Sequence, residues 1–421
     1  MTPGSFESVI AQLCTYIPNP ADPRIRKPLT AGAAAPVFLC YYGHAVLVLL
    51  DVHKTFPFEL ALLPMTLWLA YRTAVDYDFA AGLVPALGVH DYQRIVAFNY
   101  AYVIGMMVMG LRSIEWTFAR ESFKRYRDVH GKMELRSSHG FYLFSDALAL
   151  LFNQRGNGWS WSQTRDSFKT PRNPDPPPSV FSLISTLATR FFIFDIAHYL
   201  IQFMYPQLDT AKGDTIYDAS LPLHFQALKI LFINICAGIV VWSAVDVLYL
   251  ATAIPSCLFL GYSTSAWPPI SNRPWLSESL ADFWGRRWHQ SFRQIFLAIG
   301  YRPFYRYLGN AGGVFGAFAV SALLHDLGMW GSGRGTEFWS VGGFFLMMGV
   351  GAVLEGLWER ATGRKVCGSL GWAWTMAWVL WWAQFMVDAW ARRGFVGTDF
   401  VSQKYRPGKW AVKLLLEHIT M

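Results

Sequence analysis

The sequence predicts an all-α membrane protein, a polytopic bundle of about eight to nine transmembrane helices. Three observations carry this. Hydrophobic residues make up 53% of the 421-residue chain. Charged residues make up only 15%, against roughly 25% in a typical soluble domain. Aromatic residues reach 17%, with 19 Trp among them. Such a composition excludes a disordered or collagen-like chain and leaves a soluble enzyme no means of covering its apolar surface.

The helices follow from runs of about 20 apolar residues, the length that crosses a bilayer core. Ala31–Leu50 is such a run and carries no formal charge. The N-terminal stretch before it lacks a basic region followed by an apolar core, so we expect an uncleaved anchor rather than a signal peptide. Phe56–Tyr71 is shorter and contains Glu59; Ile95–Leu111 is the third candidate. Val180–Met204 contains Arg190, Asp195 and His198. Phe225–Leu260 is too long for one straight span, and is read as two helices or as one span with a re-entrant piece broken near Pro255. Ala311–Trp330 contains His325 and Asp326, Phe338–Leu357 contains Glu355, and Leu370–Trp390 contains six Trp and Asp388.

The connecting segments separate by charge. Arg112–Arg136 holds seven basic and four acidic residues, Ser271–Arg306 holds six Arg, and Arg360–Lys365 holds three basic residues. The positive-inside rule places these three on the cytosolic side. Tyr205–Leu221, with Asp209, Asp214 and Asp218 against Lys212, goes to the lumen if Phe225–Leu260 crosses once. The basic tail from Arg392 then also falls in the lumen, against the rule. The PRNPDPPPS stretch reads as an extended linker. The net charge of +8 fits cytosolic loops and anionic headgroups better than nucleic acid, because no long basic run exists. The five scattered Cys form no CxxC pair and read as small buried side chains.

Soluble catalytic motifs are absent: no HExxH, no Walker loop, no GxSxG. The informative groups are ionisable residues inside apolar helices, which are costly in lipid and face a bundle interior or a wet cavity. His325, within VFGAFAVSALLHDLGMW, is the clearest: imidazole accepts a proton near neutral pH. The alternative is a buried histidine satisfied by a backbone carbonyl. Asp326 points about 100° away on a helix and is a poor orienter for it. In LADFWGRRWHQSF, Asp282, Arg286 and His289 fall at i, i+4 and i+7, one stripe of a helix. That segment is either an interfacial aromatic helix or a cytosolic rim where Arg286, Arg287 and Arg293 meet the phosphates of an adenine-bearing cosubstrate. Asp195 and His198, at i and i+3, either pair to lock helices or line a pocket. Gly312 and Gly316 form a GxxxG that reads as close helix packing.

PWLSESLADFWGRRWHQSFRQIF, Pro274–Phe296, resembles the signature of wax synthase-like membrane-bound O-acyltransferases. SALLHDLG, Ser321–Gly328, is similar to the family's intramembrane histidine segment. The resemblance is close over Trp267–Trp339, and nearest to fungal members that acetylate terpenoid or meroterpenoid alcohols in secondary metabolism. It implies one membrane-embedded domain over residues 1–421, with 267–339 carrying the signature and 112–179 a largely cytosolic loop. It implies a chamber that acyl-CoA enters from the cytosol and a lipophilic alcohol from the membrane, in a multi-pass protein of the endoplasmic reticulum.

The family's histidine maps onto His325. Its second polar position, Asn in many members, is His289 here, with a role in catalysis, in orienting the acyl carbonyl or in holding the loop. Asp282, Trp284, Arg286, Arg287, Trp288 and Arg293 are the implied substrate-binding residues. Acetyl-CoA is the implied cosubstrate, with no metal and no tightly bound cofactor; the other partners are membrane lipids, not nucleic acid. Two alternatives stand beside this reading. One is a long-chain wax or sterol ester synthase. The other is a transporter that relays ions through Asp195, His198, His325 and Asp388.

Overall fold

The computed structural model describes residues 26–87, 91–129, 132–161 and 178–419. Eleven helices organise them, numbered here in chain order. The first pair is α1 (Ala31–Leu49), capped by the Thr30 side chain, and α2 (Val52–Asp76), capped by Asp51. Two residues join them, so they pack antiparallel. Across this hairpin the buried His44 imidazole pairs with Glu59 and meets Thr66 Oγ1 at 3.1 Å. The carboxylate flagged in the second apolar run is thus compensated inside the bundle. Two residue-pair strands, β1 (Lys27–Pro28) and β2 (Tyr77–Asp78), close the far end of the hairpin ahead of α3 (Phe79–Leu87) and α4 (Ala97–Thr117).

Residues 112–129 and 132–161 are folded rather than loop. A hairpin of β3 (Arg125–Val129) and β4 (Lys132–Arg136) and the helix α5 (Phe141–Phe152) cap one end of α1 and α4. Trp116 and Trp159, both about 1% exposed, anchor that cap against Tyr41. Nearly all of the proline-rich stretch lies outside the described residues.

α6 (Val180–Met204) packs along α7 (Leu223–Phe259), a single 37-residue helix that runs through Pro255. The long apolar run therefore crosses once. At about 1.5 Å per residue it is far longer than the hydrocarbon core, so it tilts or projects beyond it.

A helical stretch from Arg293 to Gly331 follows, with α8 (Arg302–Gly331) as its main part. Gly309 breaks it with φ 64 and ψ −160, a conformation only glycine takes without strain. The segments on either side fold back on each other: a Cβ on Gly300 would lie 2.5 Å from the Gly316 carbonyl oxygen. In a straight helix those residues would stand roughly 24 Å apart. The GxxxG residue Gly316 thus serves close packing, within this hairpin. α9 (Phe338–Thr362), α10 (Gly368–Ala391) and α11 (Pro407–Ile419) complete the chain.

By length and composition, five described helical stretches can cross a membrane: α1, α6, α7, Arg293–Gly331 and α9. α2, α4 and α10 are 25, 21 and 24 residues long and pack beside them. The chain is a helical membrane bundle.

Two ends can be distinguished. The cap over 117–161, the 260–292 segment and the α9–α10 turn share the basic end: Arg155 Nη1 reaches the Pro268 carbonyl at 2.9 Å, and Gly368 N–H donates to Glu278. At the other end the 392–406 segment lies against Tyr205–Leu221 and residues 331–337. Its arginines there are neutralised. Arg392 binds Glu337 and Asp388, Arg393 binds Glu337, and Arg406 is buried on Asp195 at 2.8 Å. Burial alone would raise the Glu337 carboxyl, but the hydrogen bonds from Arg392 and Arg393 outweigh it and hold the group below its ordinary value.

Candidate active site

The signature segment does not form one amphipathic helix. Ser279 Oγ accepts the Asp282 N–H at 2.9 Å and starts a single turn, Leu280–Asp282. The chain then widens into a π-turn, Phe283–Arg287, and leaves helical geometry at Trp288. The expected stripe of Asp282, Arg286 and His289 is therefore broken, because His289 lies beyond the helix. The wide turn brings two consecutive arginines onto one carboxylate. Asp282, 8% exposed, holds Arg286 Nη2 at 2.9 Å and Arg287 Nε at 2.6 Å. The expected Asp282–Arg286 pair forms and Arg287 joins it. Arg293 has no ion pair among the described residues, although it is half-buried at the start of the helical stretch that leads to the break at Gly309.

The turn is held from α9. Glu355, 7% exposed, accepts the Leu280 N–H at 2.6 Å, the Ala281 N–H at 3.1 Å and the Trp374 Nε1–H at 3.0 Å. A carboxylate in this position satisfies donors that the start of a helical turn leaves free. One turn earlier Gly351 leaves room for Leu280: a Cβ there would stand 2.3 Å from Leu280 Cδ1. Leu280 is fully buried, worth roughly 2 kcal/mol of apolar burial. Gln290 Nε2 then ties Trp288 O at 2.7 Å and Trp284 O at 3.2 Å. The 280–290 segment thus enters the bundle as a pinned unit rather than lying along its rim.

His325 sits on α8 two turns from its end. Its Nδ1 lies 2.8 Å from the Ser321 carbonyl, which only an N–H can satisfy. That tautomer leaves the Nε2 lone pair free to take a proton. The backbone carbonyl that the buried-histidine alternative required is present, and it orients the ring. Phe345 of α9 stacks on the imidazole, centroids 4.1 Å apart and planes 27° apart. Trp284 is the hub of the next shell, with centroids about 6 Å from Phe318, Phe344 and Phe345. His289 packs edge-on to Phe292, and its Nδ1 is buried with no partner.

A cavity of about 2640 Å³ joins these groups. All eight residues singled out from the sequence line it, and the His325 ring opens into it rather than toward lipid. Arg286, with 78% of its side chain exposed, stands at the basic end. The other intramembrane charges are structural. Asp195 and His198 do not pair with each other; both grip Arg406, with His198 Nδ1 2.8 Å from Arg406 Nη2. Arg190 binds Asp246 at 2.9 Å. Asp388 accepts from Thr215 Oγ1, the Ile216 N–H and Arg392 Nε. Asp195, His198 and Asp388, three of the four positions of the transporter reading, are thus engaged in ion pairs and hydrogen bonds, while His325 keeps a free lone pair at the cavity.

Residues 267–347 match the model of the membrane bound O-acyl transferase family. Over this segment, and in part beyond it, the chain is similar to acyltransferases. It is 36% identical over 106 residues to a long-chain-alcohol O-fatty-acyltransferase of Simmondsia chinensis, covering 23% of this chain and 30% of that protein. It is 28% identical over 284 residues to the acetyltransferase ple2 of Rhodocybe pseudopiperita, covering 60% and 69%. It is 26% identical over 241 residues to the acetyltransferase eriL of Hericium erinaceus, covering 52% and 61%. The chain thus spans less than a third of the plant relative and nearer two thirds of the fungal ones. The family segment ends inside α9, so it includes the 280–290 turn, His325 and Phe345 but stops short of Glu355. Sequence reasoning noted Glu355 as a charge in a span and gave it no role. Phe345 carried no signal at all in an aromatic-rich chain.

Proposed function

We propose that the protein is an O-acetyltransferase that moves the acetyl group of acetyl-CoA onto a hydroxyl of a lipophilic terpenoid or meroterpenoid alcohol. The observation that carries this is the oriented His325 imidazole in a cavity shared with His289 and with an arginine cluster at one end. The fungal acetyltransferases match over more than half of the chain, the plant fatty-acyl enzyme over less than a quarter; this favours the short acyl group. The higher identity to the plant enzyme supports a second reading, long-chain ester synthesis. Competition between acetyl-CoA and palmitoyl-CoA separates the two.

His325 Nε2 takes the hydroxyl proton as the oxygen attacks the thioester carbonyl carbon. His289 donates a hydrogen bond to the oxyanion that develops there. The C–S bond breaks, and the imidazolium returns the proton to the departing thiolate. The site residues are otherwise binding groups. Arg293, without an acid partner, meets a phosphate of the coenzyme; Arg286 and Arg287, tied to Asp282, form the entrance; Trp284 and Trp288 wall the acyl group. No cofactor is held between turnovers. The endoplasmic reticulum membrane is the proposed location, where the alcohol partitions into lipid.

The test is acetyl transfer by solubilised protein at matched folded yield. His325→Ala should lower turnover by about a thousandfold or more, the upper part of the range for a lost general base and orienting group. His289→Asn should retain more activity than His289→Ala, because the amide still donates. Wild-type turnover in His325→Ala refutes the assignment.

A further inference from the structure

We infer that the 3′-phosphoadenosine end of the coenzyme is held at the basic mouth of the cavity by Arg155 and Arg125 of the cap, with Tyr262 and Trp267 as the stacking surface for its base. The inference rests on the acyl-CoA reading and adds to it a nucleotide site largely outside the family segment.

All four side chains line the cavity, and all are partly exposed rather than buried in the wall. Arg155 Nη1 donates to the Pro268 and Pro269 carbonyls, each at 2.9 Å. Among the described residues Arg155 has no carboxylate partner. Arg125 binds the fully buried Asp146 at 2.7 Å, but Arg127 binds the same carboxylate, so that trio keeps one positive charge. The Arg125 guanidinium lies over the Tyr262 ring, 5.0 Å from its centroid. Tyr249 meets Trp267 edge to face at 5.4 Å and 62°, and its hydroxyl donates to the Pro268 carbonyl at 2.8 Å. Cations and flat rings therefore stand together, fixed on one stretch of backbone.

Two independent routes relate this group to the reacting centre. Along the backbone, Arg155 binds the Pro269 carbonyl, and the next carbonyl, Ile270, accepts the Gln290 N–H at 3.2 Å. That path keeps the Arg155 guanidinium within about 15 Å of the His289 backbone. Along α4, Arg112 holds the Leu150 and Asn153 carbonyls, and Glu115 accepts from Gln294, the neighbour of Arg293, at 2.8 Å. Leu324, the neighbour of His325, packs with Val108, one turn of about 6 Å deeper. Both arginine segments are thus tied to one turn of α4, outward of His325, at a distance that the pantetheine arm spans. A phosphate monoester carries about two charges at neutral pH and matches the guanidinium fork. A purine stacks on aromatic rings and on an arginine plane. Coenzyme A joins both at its adenosine end, where the 3′-phosphate stands beside the base. A lipid headgroup phosphate brings no base to the ring surface. Arg293 is left to the pyrophosphate that leads into the pantetheine arm.

The test is equilibrium binding of CoA and of 3′-dephospho-CoA to purified full-length protein in detergent, which needs no acceptor alcohol. Wild type should bind CoA at least about tenfold more tightly than 3′-dephospho-CoA, the worth of one charge-assisted contact. Arg155→Gln should bring that ratio toward one by weakening CoA alone. Tyr262→Leu and Trp267→Leu should each weaken both ligands about tenfold, the worth of a stacked base, and leave 4′-phosphopantetheine binding unchanged. Arg364→Gln removes the same charge from the exposed α9–α10 turn and should leave the ratio as it is. A wild-type ratio near one, an Arg155→Gln form that weakens both ligands alike, an equal shift in Arg364→Gln, or ring variants that move neither ligand overturns the nucleotide site while leaving acyl transfer standing. Wild type that binds neither ligand overturns the acyl-CoA reading and this inference with it.

Discussion

Removing the Glu355 carboxylate should disable the site without touching any reacting atom. Three donors converge on it: the Leu280 N–H, the Ala281 N–H and the Trp374 Nε1–H, at 2.6, 3.1 and 3.0 Å. Each buried donor left unpaired costs about 1–3 kcal/mol. Two of the three belong to the 280–287 turn, so Glu355→Ala removes at least about 2 kcal/mol from its anchor. That turn carries Asp282 and its two arginines, and leads directly to His289. A displacement of about 1 Å at a reacting group costs on the order of a hundredfold in rate. We expect kcat to fall about a hundredfold in protein that still runs as a single species on size exclusion. Glu355→Gln should lie between, since its amide oxygen still accepts one N–H while its NH₂ opposes the other. The assay is acetyl transfer under saturating acetyl-CoA, normalised to folded protein. Glu355→Ala with wild-type kcat refutes the positioning argument. So does a loss of activity that merely tracks the loss of folded protein.

Three further outcomes test other parts of the molecule. Arg293→Gln should raise KM for acetyl-CoA about tenfold, as expected for one charge-assisted contact, with a smaller change in kcat; an unchanged KM removes Arg293 from the coenzyme site. Arg406→Met leaves Asp195, 0% exposed, as a buried unpaired charge, worth about 3–5 kcal/mol; thermal denaturation should show a large drop, with Asp195→Asn/Arg406→Met recovering part of it, and no recovery would mean that the pair is not the source. Glu337 has a depressed pKa, so its stabilisation is present above the unfolded value and is lost as pH falls through the folded one. The Tm difference between wild type and Glu337→Gln should therefore be full at neutral pH, begin to shrink as pH falls through the ordinary carboxylate value of about 4.3, and vanish once pH is below the lowered folded-state value; a difference that does not shrink with acid contradicts the latch.

The bundle and the two signature blocks were legible because lipid leaves few options. A span must be long and apolar, and an ionisable group inside it needs a reason. That logic singled out His325, and the family resemblance added seven more residues; all eight line one cavity. It failed where geometry departs from regular helix. Asp282, Arg286 and His289 were placed on a stripe by assuming 3.6 residues per turn, and the π-turn over Phe283–Arg287 breaks that assumption. The six arginines of Ser271–Arg306 suggested a plain cytosolic loop. Much of it instead folds into the bundle, since the turn at Gly309 and the Gly300–Gly316 approach return the chain to the basic end. Residues 112–179 read as loop because their apolar anchors, Trp116 and Trp159, are 43 positions apart and meet only through the hairpin. Glu355 and Phe345 meet partners distant in sequence, and nothing local marks them.

The tail beyond Arg392 shows why counting charge misled and what the true asymmetry is. The positive-inside rule concerns charges that remain free to meet the cytosolic surface. At the far end the arginines are already spent: Arg94 on Asp209, Arg392 and Arg393 on Glu337, and Arg406 on Asp195. The tail is basic by composition and nearly neutral by pairing. Phe395, Val396 and Phe400 of this same segment line the far end of the cavity, so the ion pairs that neutralise it also hold its closing wall in place. At the other end Arg286 and Arg287 share the single Asp282 carboxylate, and Arg293 has no ion pair among the described residues. The electrostatic gradient along the cavity therefore runs one way. On the proposed reading, that gradient would draw an anionic coenzyme from the basic end toward His325 and leave the apolar far end to the alcohol. Reversing that gradient by freeing the tail arginines, as Glu337→Gln does in part, should weaken the preference of acetyl-CoA for its entrance before it weakens the chemistry.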